Sequence, residues 1–184
     1  MSTEEALYLE PVYSQHVLEL MRVGHEYCLY IEEAGQHSRD EILTFIHKIF
    51  PMLYMKGLFI PEIEVDLTES GERFVTGEEW ESVFNTLRAT FEVYDQFWTI
   101  DPEISGGNEP VKLSLAENLT DVYQDLKDFI MQYQKNSRAA KETAVMECRQ
   151  WFKERWGKRI TESIYYIHYL IFIRKPGSGY EDLF

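Results

Sequence analysis

Apolar residues recur over most of this chain every three or four positions, which is the period of a helix with one buried face. The pattern predicts six helices, at about residues 14–34, 40–56, 77–98, 115–135, 137–156 and 158–173. Pro51 falls inside the second helix, so we expect a kink or an early end at Phe50. The sixth segment is rich in strand-favouring residues, but with helical neighbours and no partner strand we interpret it as a buried helix.

Capping chemistry supports three of these helix starts. The stretches SRDE at 38–41, TGEE at 76–79 and SLAE at 114–117 match the capping box, in which a hydroxyl and a carboxylate satisfy free backbone N–H groups. The aromatic stripe of the third helix and the apolar face of the fourth should lie in the core. The predicted core contains Trp80, Phe84, Phe91, Trp98, Leu119, Val122, Leu126, Phe129, Trp151, Phe152, Ile164 and Ile167.

The segments between and after the helices break this period. The alternation in IEVDL predicts one short extended segment near residues 63–67, and the Gly- and Pro-containing stretch 99–112 predicts a surface connection. The tail at 176–184 is predicted to be flexible. The fold class is therefore all-α, a single-domain bundle of about six helices over residues 1–175.

Composition agrees with a globular domain and limits its partners. The 184 residues are 45% hydrophobic, and 18 basic against 32 acidic side chains give a net charge of −14, which makes nucleic acid an unlikely partner. The N-terminus MSTEEALYLE has no apolar run, and the longest apolar stretch is too short to span a bilayer, so we expect a cytoplasmic protein that does not enter a membrane. The two cysteines, Cys28 and Cys148, are expected to be reduced and structural.

The sequence contains none of the common catalytic motifs. HExxH, GxSxG, GxxxxGK[ST] and GxGxxG are all missing, and no histidine follows a glutamate by three positions, as di-iron helical bundles require. His25, Cys28 and Glu32 share one face of the first helix and have the chemistry of metal ligands. A histidine on a half-apolar face is more often structural, so no cofactor is predicted.

A row of carboxylates is the first candidate site. In LTDVYQDLKDFI and the turn before it, Glu117, Asp121, Asp125 and Asp128 fall within an arc of roughly 80° on a helix. Like charges at this spacing disfavour a helix. The row is therefore predicted to be an exposed or groove-edge acidic surface that meets the basic fifth helix or a cationic partner, with a divalent metal site as the less favoured alternative.

A basic patch is the second candidate site. From Arg138 onward the chain has nine basic against six acidic residues, whereas residues 1–137 have nine against 26. The patch consists of Arg149, Lys153, Arg155, Lys158 and Arg159, interleaved with tryptophan and phenylalanine. Such a pattern is able to bind a phosphate or a nucleic-acid strand. The favoured interpretation is that these cations neutralise the acidic body of the same molecule.

Two segments suggest a family. LAENLTDVYQDLKDF at 115–129 and FKERWGKRITESIYYIH at 152–168 resemble the best-marked segments of an uncharacterised bacterial family of small all-helical domains of unknown function. Where that family tends to have histidines around its Trp-Gly pair, this chain has Arg155 and Arg159. The resemblance implies an all-α fold and no particular activity.

These features favour a protein-interaction or adaptor domain with an acidic surface, whose partner is another protein. The alternative is a helical hydrolase that uses clustered carboxylates to hold Mg²⁺ or Mn²⁺ around a phosphorylated small molecule. Catalytic activity is not the favoured interpretation, because the chain has only Glu32-Glu33 of the carboxylate pattern found in all-helical pyrophosphohydrolases.

Overall fold

Capping and apolar spacing together determine where the helices of the protein begin. A computed structural model describes residues 10–65, 71–101, 107 and 109–174. Its helices are α1 Gln15–Glu32, α2 Arg39–Leu58, α3 Gly77–Phe91, α4 Leu115–Tyr133, α5 Arg138–Trp151 and α6 Gly157–His168. The predicted fold class is confirmed, because these helices account for most of the chain.

Two of the predicted capping boxes form completely. Ser38 and Glu41 cap α2 reciprocally, and Thr76 and Glu79 do the same for α3. At α4 the Ser114 hydroxyl accepts the Glu117 N–H at 3.1 Å, but the Glu117 carboxylate lies toward a cation on α6 instead of returning to the cap. The third box is therefore formed on one side only.

The end of α3 differs from the prediction. The helix ends at Phe91, Glu92 has a positive φ of 52°, and a strand β1, Gln96–Ile100, pairs antiparallel with β2, Pro110–Ser114. Phe97 points into the bundle and stacks on Tyr166 with ring centroids 4.5 Å apart. The aromatic stripe thus continued from a helix into a strand, and helical spacing alone did not show the change.

The prediction that Trp98 belongs to the core is wrong for the same reason. Side chains alternate along β1, so Phe97 is buried while Trp98 is 46% and Ile100 64% exposed. Other predicted core positions are buried: Phe91, Leu119, Val122, Leu126, Phe129 and Ile167. The remaining ones are partly buried and pack against that core: Trp80, Phe84, Trp151, Phe152 and Ile164.

Helix α4 occupies the centre of the molecule. It packs against α1, α3, α5 and α6, and 14 of its 19 residues are buried. A helix covered on nearly all sides has little room for a solvated polar face. The carboxylates that α4 carries must therefore find partners inside the protein.

The C-terminal segment is one continuous helical run. α5 leads into a first π segment, Phe152–Trp156, then α6, then a second π segment, Tyr169–Ile173. α5 packs on α4, whereas α6 packs on both α2 and α4. Gly157 therefore lets the two predicted helices run on, and the sixth segment is helical as predicted.

Three other predictions can be compared with the described residues. α2 continues through Pro51 to Leu58, so the early end is wrong; Pro51 lacks a backbone N–H and lies on the exposed side of this helix. Residues 63–65 belong to no helix or strand, while the rest of the predicted extended segment and the tail at 176–184 lie outside the described residues.

Cys28 and Cys148 are both buried free thiols. No helix among the described residues has the length and apolarity needed to cross a bilayer.

Candidate functional site

The predicted acidic row is largely internal, so an exposed surface is wrong for Asp125 and Asp128, whereas the expected contact with the predicted fifth helix is made through Arg155. The side chains of Asp125 and Asp128 are fully buried, Asp121 is 21% exposed, and only Glu117, at 49%, faces water substantially. Burial on this scale requires that each carboxylate be matched by donors. The donors come from residues 73–75, from Trp80 of α3 and from the C-terminal helical run.

Asp128 fastens the segment that precedes α3. One of its oxygens accepts the backbone N–H groups of Phe74 and Val75 at 2.7 and 2.9 Å, and the other accepts Arg73 Nη1 at 2.8 Å. The Arg73 guanidinium also lies over the Trp151 ring, 4.3 Å from its centroid. We call residues 71–76 the strap, because these contacts tie it across α4 and α5.

Asp125 sits between two arginines. Its Oδ1 lies 3.2 Å from Arg73 Nη1 and 3.1 Å from Arg155 Nη2, whereas its buried Oδ2 has no hydrogen-bond partner among the described residues. Burial raises the pKa of Asp125 to about 6, although Arg155 and Arg73 act in the opposite direction. The loss of water around one oxygen thus outweighs the two nearby cations.

Asp121 and Glu117 share Arg159 at the outer end of the row. Arg159 Nη2 lies 3.1 Å from Asp121 and 3.8 Å from Glu117, and the Trp80 indole donates to Asp121 at 3.2 Å. Arg159 Nη1 also donates to the side-chain oxygen of Asn118 at 3.1 Å. This end of the row is therefore a groove edge between α3, α4 and α6.

Most of the predicted basic patch turns inward or pairs locally. Arg149 pairs with Glu62 at 3.1 Å, Lys158 with Asp101 at 2.8 Å, and Arg155 and Arg159 with the acidic row. Lys153 is exposed. The pairing explains why acidic and basic residues segregate along the sequence, since the two groups meet across the fold.

Sequence reasoning missed the ion pairs and hydrogen bonds made by the non-helical residues between α2 and α3. Arg73 and Glu62 both lie in the non-helical stretch between α2 and α3, and Gly71 N–H donates to Glu147 at 3.1 Å. The only signal was a single arginine in an otherwise acidic segment, ESGERFV. Its partners are more than fifty positions away, so no local pattern identifies them.

Two of the side chains considered as metal ligands, Cys28 and Glu32, make other contacts within the fold. Cys28 directs its thiol to the Tyr123 carbonyl at 3.9 Å, and Glu32 accepts the Tyr123 hydroxyl at 3.0 Å and Lys127 at 2.7 Å, while His25 is exposed. Burial raises the pKa of the Cys28 thiol. Over the described ranges, no group of three or more histidine, cysteine, aspartate or glutamate residues is arranged to hold a metal ion.

Exposed glutamates that the prediction did not name lie at the end of α1 and at the start of α3. We call this set of residues the acidic face: Glu26 and Glu32 of α1, Glu33 at its C-cap, and Glu78, Glu79 and Glu81 of α3. The 3-10 segment Ala34–Gln36, which follows α1, packs on α3 near Thr86. Lys127 of α4 lies 2.7 Å from Glu32. Hydrogen bonds from Thr76 lower the pKa of Glu79, and the charge of Lys127 lowers it further.

A cleft opens beside the first π segment. We call it the α6 cleft; its volume is about 450 Å³, within the range of small-molecule sites. It lies between α2, β1 and the start of α6. Its walls include Tyr54 and Phe152, its polar lining includes Asp101, Lys158 and Glu162, and Lys153 and Thr161 stand at its exposed side.

Capped helices around a buried central helix, with one small hairpin, define a small helical domain. The chain belongs to the family described as a domain of unknown function, DUF5063, whose model matches residues 11–172. This confirms the resemblance to uncharacterised helical domains that the sequence showed. The structure is similar to the crystal structure of protein BF1032 from Bacteroides fragilis, a structural-genomics target, with a TM-score of 0.80, 27% identity, and coverage of 92% of this chain and 100% of that one. No curated protein shows significant similarity to the chain.

Proposed function

We propose that the protein is an interaction domain whose acidic face binds a cationic segment of another protein. One observation carries the proposal: four cations of the basic patch, Arg149, Arg155, Lys158 and Arg159, pair with carboxylates elsewhere in the fold, so the negative charge of the acidic face is left for a partner. Among the described residues, no cation forms an ion pair with Glu26, Glu33, Glu78 or Glu81.

Helix electrostatics support a role beyond folding for part of this face. Glu33 is the C-cap of α1, and the last turn of this helix has no basic residue of its own. Carboxylates at that negative end of the helix dipole each destabilise a helix by about 0.3–1 kcal/mol. Leu29, 49% exposed, lies between Glu26 and Glu33 on the same side of α1, so the face offers an apolar contact as well as charge. A cationic, partly apolar segment is the complementary partner.

The test uses charge reversal and a matched control. A photo-crosslinker at Leu29 in the host cell identifies candidate partners, and binding of each purified partner is then measured at several salt concentrations. Glu26→Lys with Glu33→Lys should abolish binding while keeping or raising the melting temperature of the free protein. Glu64→Lys with Glu109→Lys changes the net charge equally at exposed positions outside the face and should leave binding intact. Equal loss of affinity in both double variants would show that net charge, not the acidic face, governs binding.

The hydrolase alternative has less support. Its metal would need open carboxylates, yet Asp125 and Asp128 face arginines and backbone N–H groups. We expect the domain to act in the cytoplasm, which two buried free cysteines favour.

A further inference from the structure

We propose that the α6 cleft binds a small organic cation, a primary ammonium or guanidinium group carried on an apolar chain. This site is separate from the acidic face and does not depend on it. The inference rests on how Glu162 is placed, on which cations near it are already committed, and on the aromatic walls of the cleft.

Glu162 is a carboxylate with little water and weak partners. Its side chain is only 12% exposed, and its Oε2 lies 3.5 Å from Asn118 Nδ2 and 3.9 Å from Arg159 Nη1. Both distances are at or beyond the limit of a good hydrogen bond. Burial raises the pKa of Glu162, Arg159 and Lys158 lower it, and Asp101 raises it again. A donor brought by a ligand would therefore improve the environment of this carboxylate more than that of a solvated one.

The neighbouring cations do not turn the cleft into an anion site. Lys158 is 2.8 Å from Asp101, whose side chain is 6% exposed, and Arg159 is directed at Asn118 and Asp121. The inner lining thus holds two carboxylates and one ammonium group. The remaining lysine of the cleft, Lys153, is on its exposed side, where water screens its charge.

The walls suit the chain that would carry the cation. Tyr54 and Phe152 meet edge to face with centroids 5.3 Å apart, which offers ring faces to an alkyl chain and to a positive charge. Gly157 keeps this wall open, since a Cβ there would come within 2.9 Å of the Phe152 ring and overlap the Phe152 carbonyl oxygen.

The experiment compares three probes of equal length. Hexylamine, hexanoate and hexanol are titrated into the ¹⁵N-labelled full chain, and the backbone amides of Gly157 and Thr161 are followed by NMR. Hexylamine should shift both signals to saturation, and hexanoate and hexanol should bind at least tenfold more weakly. Binding of hexanoate or hexanol as tight as that of hexylamine, or the absence of saturable shifts at these amides, would overturn the proposal.

Variants separate the carboxylate from the general charge of the region. Glu162→Gln should weaken hexylamine at least tenfold, whereas Glu117→Gln should not, because Glu117 approaches the same Arg159 from outside the cleft. Thr161→Trp fills the exposed side of the cleft with a bulky ring and should also block the amine. This variant tests the proposal if Glu162→Gln unfolds, and unchanged affinity for hexylamine in Thr161→Trp would contradict the inference.

Discussion

Replacing Asp128 with asparagine tests whether the carboxylates of α4 hold the fold together. The carboxylate accepts two backbone N–H groups from the strap and one hydrogen bond from Arg73, and it is fully buried. Asparagine keeps one acceptor oxygen, but its amide group would turn two N–H donors toward the Arg73 guanidinium. The buried side chain at position 128 would therefore lose its hydrogen bond to the Arg73 guanidinium and gain an unfavourable contact between two sets of N–H donors.

The expected cost follows from these contacts. A hydrogen bond to a charged group contributes about 1.5–3 kcal/mol, and breaking a buried pair about 3–5 kcal/mol. Because Arg73 is 41% exposed and keeps Asp125, we expect a loss of roughly 2–3 kcal/mol in the free energy of unfolding. For a chain of this size that corresponds to a fall of roughly 4–12 °C in melting temperature.

Urea unfolding and amide hydrogen exchange measure the two parts of this prediction. Asp128→Asn should lower the unfolding free energy and speed exchange at the Phe74 and Val75 amides. Asp40→Asn is the control, because Asp40 is 80% exposed and, within the described part of the chain, pairs only with its neighbour Arg39. It should change stability by less than about 0.5 kcal/mol. If Asp128→Asn behaves like Asp40→Asn, the internal ion-pair network does not stabilise the protein.

Three further predictions concern packing and pH. Gly57→Ala should destabilise the protein by about 1–3 kcal/mol, since its Cβ would lie 2.5 Å from the Phe152 ring. Gly77→Ala, whose Cβ would have no atom within 4 Å, should be neutral or stabilising, and thermal melting measures both variants. Leu126→Ala in the core should cost about 2–5 kcal/mol in urea unfolding. Because the pKa of Asp125 is raised to about 6, its contribution to stability is full below pH 4 and is lost as pH rises through 6. The free energy of unfolding of the wild type, relative to that of Asp125→Asn, should fall by roughly 3 kcal/mol over that interval. A difference between the two proteins that does not change with pH would contradict the raised pKa.

Local chemistry made much of the helical framework predictable. The pairs Ser38 with Glu41 and Thr76 with Glu79 act within four residues, so their effect can be seen in sequence, and the structure forms both. β1 could not be found that way, because its pairing with β2 joins segments separated by a connection that shows only as turn residues.

The candidate sites were predictable in composition but not in environment. The sequence correctly placed Asp125 and Asp128 on one side of α4, and Arg155 and Arg159 were among the cations expected near them. Exposure was wrong, because burial of α4 depends on how many helices surround it. That number is a property of the whole fold, which helical periodicity of one segment does not contain.

The first π segment has a consequence for the phase of the helical run. A π turn adds one residue to a turn of helix, so α6 presents its side chains about 100° away from where an uninterrupted α5 would present them. Because of this rotation, the continuous helical rod formed by α5, the π segments and α6 buries one side of α5 on α4 and a different side of α6 between α2 and α4. Deleting a single residue within 152–156 would restore a regular helix and turn Ile160 and Ile167, both fully buried, out of that position. The length of this short segment, rather than its chemistry, thus sets which neighbours the C-terminal half of the rod can reach.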